Sequence, residues 1–157
     1  MLSGLEGPVA VLGAGGKMGL HMAAMLRRAF DEAGRVGEQV FAVSRFGSPE
    51  SRDPFDRFGV DTISADLTDE EALAGLPDFR TIYFLAGIKF GTSGDPNALR
   101  RFNEEMPAMV AARFPRARIA AFSTGCVYPF CHPVLRREPR RGCSPANRGL
   151  CRVLPAA

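Results

Sequence analysis

A glycine-rich turn between an apolar strand and a helix narrows the possible folds of this chain more than any other segment. The apolar run Pro8–Gly13 predicts a buried strand, and the apolar spacing from Lys17 to Phe30 predicts a helix. Between them, residues 13–19 have the sequence Gly-Ala-Gly-Gly-Lys-Met-Gly. Glycines permit a tight turn and a close approach of the backbone to a pyrophosphate, which the free N–H groups of a helix N-terminus bind. The strand before the turn and the helix after it therefore indicate a dinucleotide-binding turn.

The alternatives for this turn are a packing role alone or a different phosphate-binding loop. A kinase-type phosphate loop is disfavoured because no Gly-Lys-Ser/Thr follows the glycines. The candidate contacts to a dinucleotide in this turn are Gly13, Gly15, Gly16, Lys17, Met18 and Gly19.

Further apolar runs alternate with helical segments along the chain. They predict strands at 39–44, 60–64, 81–85 and 118–123, and helices at 69–74 and 96–114, the second with a kink or break at Pro107. The stretch 46–59 is predicted as a loop because it is rich in Gly, Ser and Pro. This alternation predicts the α/β class, with a Rossmann-like parallel sheet of about five strands and flanking helices. Ligands of such sheets bind at the carboxyl ends of the strands.

Length and composition limit the class of protein further. The 157 residues suffice for one domain with a buried core, and 46% hydrophobic residues argue against wholesale disorder. No run approaches the ~20 apolar residues of a membrane helix, and the N-terminus has no signal-peptide pattern, so a cytoplasmic protein is expected. Residues 1–130 hold 14 Lys and Arg against 16 Asp and Glu, which gives no electrostatic reason to expect nucleic acid as a partner.

The residues after the second and third strands bear on the choice of cofactor. The second strand ends at Ser44-Arg45, where an acidic residue would bind the ribose hydroxyls of NAD. An arginine there pairs with a 2′-phosphate, so NADP is favoured over NAD; the alternative is a solvated surface arginine. Asp66-Leu67, after the third strand, is placed to contact the adenine, and the alternative is an aspartate that caps the next helix.

The last 27 residues differ from the rest of the chain. Residues 131–157 hold six arginines and one acidic residue, with many prolines and no helical or strand period. This composition predicts an irregular, disordered C-terminal tail after a domain spanning residues 1–130. None of the four cysteines is in Cys-x-x-Cys spacing, and His132 beside Cys131 lacks a second pair of ligands, so no metal site is predicted.

Four segments together resemble the extended short-chain dehydrogenase/reductase family, the NAD(P)-dependent epimerases and dehydratases, over about residues 8–130. They are the glycine turn, Ala65-Asp-Leu67, Phe84-Leu-Ala-Gly-Ile-Lys89 and Phe122-Ser-Thr-Gly-Cys-Val-Tyr-Pro129. The resemblance implies a nicotinamide cofactor on a Rossmann sheet and a nucleotide-sugar substrate. The glycine turn also resembles the opening of other Rossmann reductases, but the last two segments argue against those.

The resemblance also implies roles for individual residues. Thr124 would be the catalytic hydroxyl that hydrogen-bonds the reacting substrate oxygen, with Ser123 beside it as a strand-end residue near the cofactor. The further residues that would contact or line the cofactor are Leu85, Ala86, Gly87, Lys89 and Asn103. An ordinary exposed helix position is the alternative for Asn103.

One part of the family pattern is missing from this sequence. The family's general base is a tyrosine in Tyr-x-x-x-Lys, and no lysine follows Lys89. Three functions remain open: an epimerase, dehydratase or reductase by descent that binds cofactor without turnover, a non-catalytic sensor that binds NADP, and a truncated fragment without function. A small-molecule substrate is expected for full-length relatives.

The tail is also compatible with translation out of frame. Shifting one possible codon set for Arg148–Leu154 by one base yields Gly-Asp-Tyr-Ala-Ala-Ser-Cys, which resembles a segment that follows Val-Tyr-Pro in some family members. The nucleotide sequence of the gene tests this hypothesis, because an early stop in the alternative frame would contradict it.

Overall fold

A computed structural model describes residues 5, 7–88 and 95–122 of the chain. Lys89, Ser123 and Thr124, for which the sequence predicts cofactor and substrate contacts, lie outside the described residues, as does the predicted tail 131–157. In the described part, no helix combines the length and the apolar character that crossing a membrane requires.

Strands and helices alternate along the described chain. The strands are β1 (Val9–Leu12), β2 (Val40–Ser44), β3 (Asp61–Ser64), β4 (Thr81–Phe84) and β5 (Arg118–Ala121). The α-helices are α1 (Lys17–Glu32), α2 (Asp53–Asp56), α3 (Glu70–Ala74), α4 (Pro96–Arg100) and α5 (Met106–Arg113), with a 3-10 turn at Pro49–Ser51 and a π-helical turn at Arg101–Glu105.

The five strands form one parallel sheet in the order β3-β2-β1-β4-β5. The predicted fold class, a Rossmann-like α/β sheet with flanking helices, is confirmed. β1 takes the centre, and all four of its side chains are fully buried. The very apolar β4 lies inside the sheet between β1 and β5. Because the strands are parallel, the carboxyl ends of β1 to β4 meet along one edge of the sheet.

Helices cover the sheet on two faces and form two core clusters. On one face, α1 packs Ala23, Leu26 and Phe30 against β1 and β2, since these residues recur at helical spacing. On the other face, the cluster includes Phe79 and Phe114, whose ring centroids lie 5.5 Å apart. Each such side chain contributes about 1.5–3 kcal/mol when it is fully buried.

The segment 46–59 is not a continuous loop, so that prediction was wrong. It contains the 3-10 turn Pro49–Ser51 and the helix α2, each with a proline at one of its first two positions. Proline is tolerated in the first turn of a helix because the N–H group it lacks has no intrahelical acceptor there. Phe55 of α2 is buried and fixes this segment on the core.

The break predicted at Pro107 is present as a change of helix type. Proline removes the hydrogen bond to the carbonyl group four residues earlier, here that of Asn103, and its ring clashes with that carbonyl. The π-helical turn Arg101–Glu105 contains Asn103 and joins α4 to α5 at this point. Such wide turns within helices occur frequently at functional sites.

Candidate cofactor-binding site

The glycine turn begins where β1 ends, and its first glycine lies between β2 and the segment after β4. The Gly13 N–H donates to the Val43 carbonyl at 2.9 Å, and Gly13 has a φ of +83°. A Cβ at this position would lie 2.5 Å from the backbone nitrogen of Ala86. Only glycine therefore fits both the left-handed backbone and the close contact with the segment after β4.

Two other glycines of the turn have opposite surroundings. A Cβ at Gly19 would lie 2.0 Å from the Ala14 carbonyl oxygen, so Gly19 lets α1 pack directly against the turn. A Cβ at Gly16 would meet only the Gly13 carbonyl oxygen within 4 Å, at 3.7 Å, among the described atoms. Gly16 therefore leaves open space beside the turn rather than tightening it.

Helix α1 starts directly at this open space. Gly16 is its N-cap, and no side chain in the described part of the chain caps it by a hydrogen bond. The first turn of the helix, which begins at Lys17, contains no acidic residue. The Gly19 N–H already donates to the Gly16 carbonyl at 3.0 Å, so the N–H groups of Lys17 and Met18 form the part of the helix start that can bind a ligand, at the positive end of the helix dipole. The turn is therefore suited to an anionic group such as a pyrophosphate.

A pocket of about 800 Å³ opens at this edge of the sheet. Segments that follow β1, β2, β3 and β4 line it, as expected for a ligand site on a parallel sheet. The predicted residues that the structure brings together in its lining are Gly13, Gly15, Gly16, Lys17, Ser44, Arg45, Asp66, Leu67, Leu85, Ala86 and Gly87. Its volume lies in the range typical of small-molecule and cofactor sites.

Among the described residues, three of the predicted cofactor contacts lie outside the lining of this pocket. Gly19 is buried beneath the turn, and the Met18 side chain is 58% exposed on α1. The third, Asn103, binds the backbone of the pocket wall: its Oδ1 accepts from the Ile88 N–H at 3.0 Å, and its Nδ2 donates to the Ile88 carbonyl at 2.9 Å. Asn103 therefore fixes the segment after β4, which lines the pocket.

The pocket also has an aromatic wall that sequence reasoning missed. Phe46 lines it, and its ring packs edge-to-face on Phe55 at 5.5 Å between centroids. Phe46 has a φ of +39°, the one described non-glycine residue with a positive φ. Such strained backbone is concentrated at functional sites. The only signal in the sequence was an aromatic residue beside Gly47 at the end of a strand.

Opposite charges meet where β2 and β3 end. An Arg45 Nη1 lies 4.0 Å from an Asp66 Oδ2, and the two side chains are 69% and 41% exposed. The backbone N–H and the hydroxyl group of Thr68 both donate to Asp66 Oδ1, at 2.9 and 2.8 Å. These hydrogen bonds, with smaller contributions from Arg45 and Arg101, hold the pKa of Asp66 below its ordinary value. Asp66 is therefore a carboxylate at neutral pH.

The described side chains offer little to a metal ion. No group of three His, Cys, Asp or Glu residues within 7–88 and 95–122 is arranged to hold one.

Solved structures with the same fold include enzymes with bound nicotinamide cofactors. UDP-glucuronic acid 4-epimerase from Bacillus cereus, in complex with NAD, is 20% identical with a TM-score of 0.61; the match covers 93% of this chain and 50% of that chain. BdcA in complex with NADPH is 20% identical with a TM-score of 0.55, covering 74% and 51%. A short-chain dehydrogenase/reductase superfamily protein from Agrobacterium tumefaciens with bound NAD is 20% identical with a TM-score of 0.57, covering 78% and 34%.

These matches establish the fold. The resemblance to epimerases and short-chain dehydrogenases that the sequence motifs indicate is confirmed at that level. This chain spans about half of the length of the first two proteins and a third of the last. No protein-family model matches the sequence, and no curated protein does.

Proposed function

We propose that this chain binds NAD or NADP in the pocket at the carboxyl edge of the sheet. The observation that carries this proposal is the open space at Gly16, next to the uncapped start of α1. A pyrophosphate fits such a place because backbone N–H groups approach it without an intervening side chain. Lys17, which lines the same pocket, adds a positive charge for the phosphates.

The adenosine end of the dinucleotide lies beside Arg45 and Asp66 in this proposal. Arg45 is the end-of-strand cation expected to pair with a 2′-phosphate, so we infer that NADP binds more tightly than NAD. Asp66 and Leu67 then lie beside the adenine. The segment Leu85–Gly87, which Asn103 supports through Ile88, faces the other half of the cofactor.

The sequence motifs and the fold together support a proposal for the reaction that full-length relatives of this chain catalyse. We infer that this chain is the cofactor-binding portion of an oxidoreductase of the epimerase/dehydratase type, whose full-length relatives act on a nucleotide sugar, with the nicotinamide supplying hydride transfer when bound. UDP-glucuronic acid 4-epimerase, which shares the fold, is named for a substrate of that kind. Thr124 is the proposed hydroxyl group for the reacting oxygen. Residues 1–157 contain no Tyr-x-x-x-Lys, so we expect the chain as given to bind cofactor without turnover.

The absence of Tyr-x-x-x-Lys also favours a second candidate, a non-catalytic module that binds NADP. Both candidates require an occupied pocket in residues 1–130. The tail 131–157, if translated out of frame, belongs to neither, and the gene sequence decides that point.

Thermal unfolding with NADP and with NAD tests binding directly. A ligand that binds only the folded chain, at 100 times its Kd, adds about 2.7 kcal/mol to the free energy of unfolding. A rise in Tm with NADP that exceeds the rise with NAD supports the proposal. A cooperative transition that neither dinucleotide shifts would refute it.

The variant Gly16→Ala links this binding to the glycine turn. The new methyl group has room in the chain itself but occupies space assigned to the pyrophosphate. Overpacking of about 1–3 kcal/mol weakens dinucleotide binding by roughly 5- to 150-fold. The matched control is Gly37→Ala, where a Cβ has no described atom within 4 Å and the residue lies outside the pocket. Equal affinities for the two variants would contradict the proposed position of the pyrophosphate.

A further inference from the structure

Asp66 is the centre of a charged and polar cluster at the rim of the pocket. Arg45 follows β2, Thr68 lies between β3 and α3, and Arg101 is the first residue of the π-helical turn. An Nη2 of Arg101 donates to Thr68 Oγ1 at 3.0 Å. The hydroxyl group of Thr68 thus accepts from Arg101 and donates to Asp66, so a continuous chain of hydrogen bonds runs from the π turn to the carboxylate.

The two carboxylate oxygens of Asp66 have different partners. Oδ1 accepts both hydrogen bonds from Thr68, while Oδ2 lies towards Arg45. Fixing Oδ1 also fixes the position of Oδ2, because the carboxylate is planar. Arg101 occupies the acceptor side of the hydroxyl group and so directs its proton towards Asp66. The position of the Asp66 carboxylate relative to Arg45 is therefore set by two residues that do not line the pocket, Thr68 and Arg101.

We propose that Thr68 and Arg101 are positioning residues that hold the Asp66 carboxylate against Arg45 and thereby limit the preference of the pocket for a dinucleotide with a 2′-phosphate. This inference rests on the proposed function. A 2′-phosphate at Arg45 is repelled by the carboxylate that is held there, while the uncharged ribose hydroxyl of NAD is not. The pocket consequently accepts both dinucleotides, with a smaller advantage for NADP than Arg45 alone would give.

The test measures the Kd of NADP and of NAD for the full chain by titration calorimetry, and compares the ratio of Kd for NAD to Kd for NADP. Thr68→Val has almost the same shape and charge as the wild type but lacks the hydroxyl group, so a changed ratio cannot arise from net charge. We expect the ratio to rise about twofold, and by about two- to fivefold in Asp66→Asn, as for an exposed ion pair. Thr68→Ser is the matched control, because it keeps the hydroxyl group, and its ratio should equal that of the wild type.

A second pair of variants tests the same proposal without touching Thr68. Arg101→Lys keeps the charge but loses the planar donor geometry, so the ratio should rise as in Thr68→Val. The control is Arg100→Lys, because Arg100 pairs with Glu105 at 3.0 Å and does not line the pocket, and its ratio should stay at the wild-type value.

The possible failures are distinguishable. Unchanged ratios in Thr68→Val and Arg101→Lys, in a chain whose wild-type form binds both dinucleotides, would overturn this inference and leave the proposed function standing. A wild-type chain that binds neither dinucleotide would overturn the proposed function itself. A ratio that rises equally in Arg101→Lys and in Arg100→Lys would also refute the positioning role.

Discussion

Replacing Gly13 by alanine measures how closely the glycine turn and the segment after β4 approach each other. Two costs arise at this position. The φ of +83° strains an alanine by about 1–2 kcal/mol. The new Cβ would also lie 2.5 Å from the Ala86 nitrogen, and relieving such an overlap against backbone costs about 1–3 kcal/mol. The expected loss in the free energy of unfolding is therefore about 2–5 kcal/mol.

Two other glycines separate these costs experimentally. Gly34 has a φ of +71°, but a Cβ there would have no described atom within 4 Å, so Gly34→Ala incurs the strain alone. Gly37 has neither the positive φ nor the contact. Gly37→Ala should be neutral or stabilise the chain by about 0.4–1 kcal/mol, because alanine reduces the entropy of the unfolded state.

Thermal unfolding followed by circular dichroism compares the three variants. At about 2–4 °C per kcal/mol for a domain of this size, Gly13→Ala should lower the Tm by roughly 4–20 °C and Gly34→Ala by roughly 2–8 °C. The difference between these two losses measures the contact of the turn with the Ala86 backbone. Equal losses for Gly13→Ala and Gly34→Ala would contradict the contact between the turn and the Ala86 backbone, and with it the arrangement of these two segments in the pocket lining.

Three further predictions concern other parts of the chain. Asn103→Leu removes both hydrogen bonds to Ile88, so the Ile88 amide should exchange its hydrogen faster by NMR and dinucleotide binding should weaken; unchanged exchange would contradict the supporting role. Phe79→Ala leaves a cavity between aromatic neighbours and should cost about 3–5 kcal/mol in urea unfolding, whereas a loss below about 1 kcal/mol would contradict the packing. Arg113 holds the pKa of the Asp78 carboxyl group below its ordinary value of 3.8. The stabilisation of the folded chain by this pair is therefore complete well above pH 3.8 and is lost as the pH falls through the lower folded pKa. Asp78→Asn should flatten this part of a plot of urea midpoint against pH, and an unchanged plot would contradict the role of the pair.

The sheet could be predicted from the sequence because its signals are local. The observed bounds of β1 and β2 differ from the predicted ones by one residue at most, since runs of apolar residues bounded by glycine or polar residues are typical of strands buried on both faces. The turn at Gly13–Gly19 was predictable for a similar reason, because steric limits on glycine act over a few residues.

The elements that the sequence did not predict depend on contacts between distant residues. In the segment 46–59, Pro49 and Pro54 are typical of a loop by sequence, but each lies in the first turn of a short helix, and the burial of Phe55 stabilises the second of these helices. Phe46 at the pocket wall could not be assigned for the same reason. Its place depends on the packing of α2, which no periodic pattern indicates.

The charged residues at the pocket rim show how much of the site can be predicted from the ends of the strands. In the parallel pairing of β2 with β3, Ser44 lies opposite Ser64, so the residues just beyond each strand are neighbours at the carboxyl edge. This register alone places Arg45 near Asp66, although they are far apart in the sequence. A one-residue slip of β3 would reverse the faces of its side chains and separate this pair. The sequence can therefore name the two residues from the strand ends and the local hydrogen bond of Thr68 to Asp66. The proposed role of Arg101 depends instead on a hydrogen bond to Thr68, 33 residues away, which no local pattern indicates.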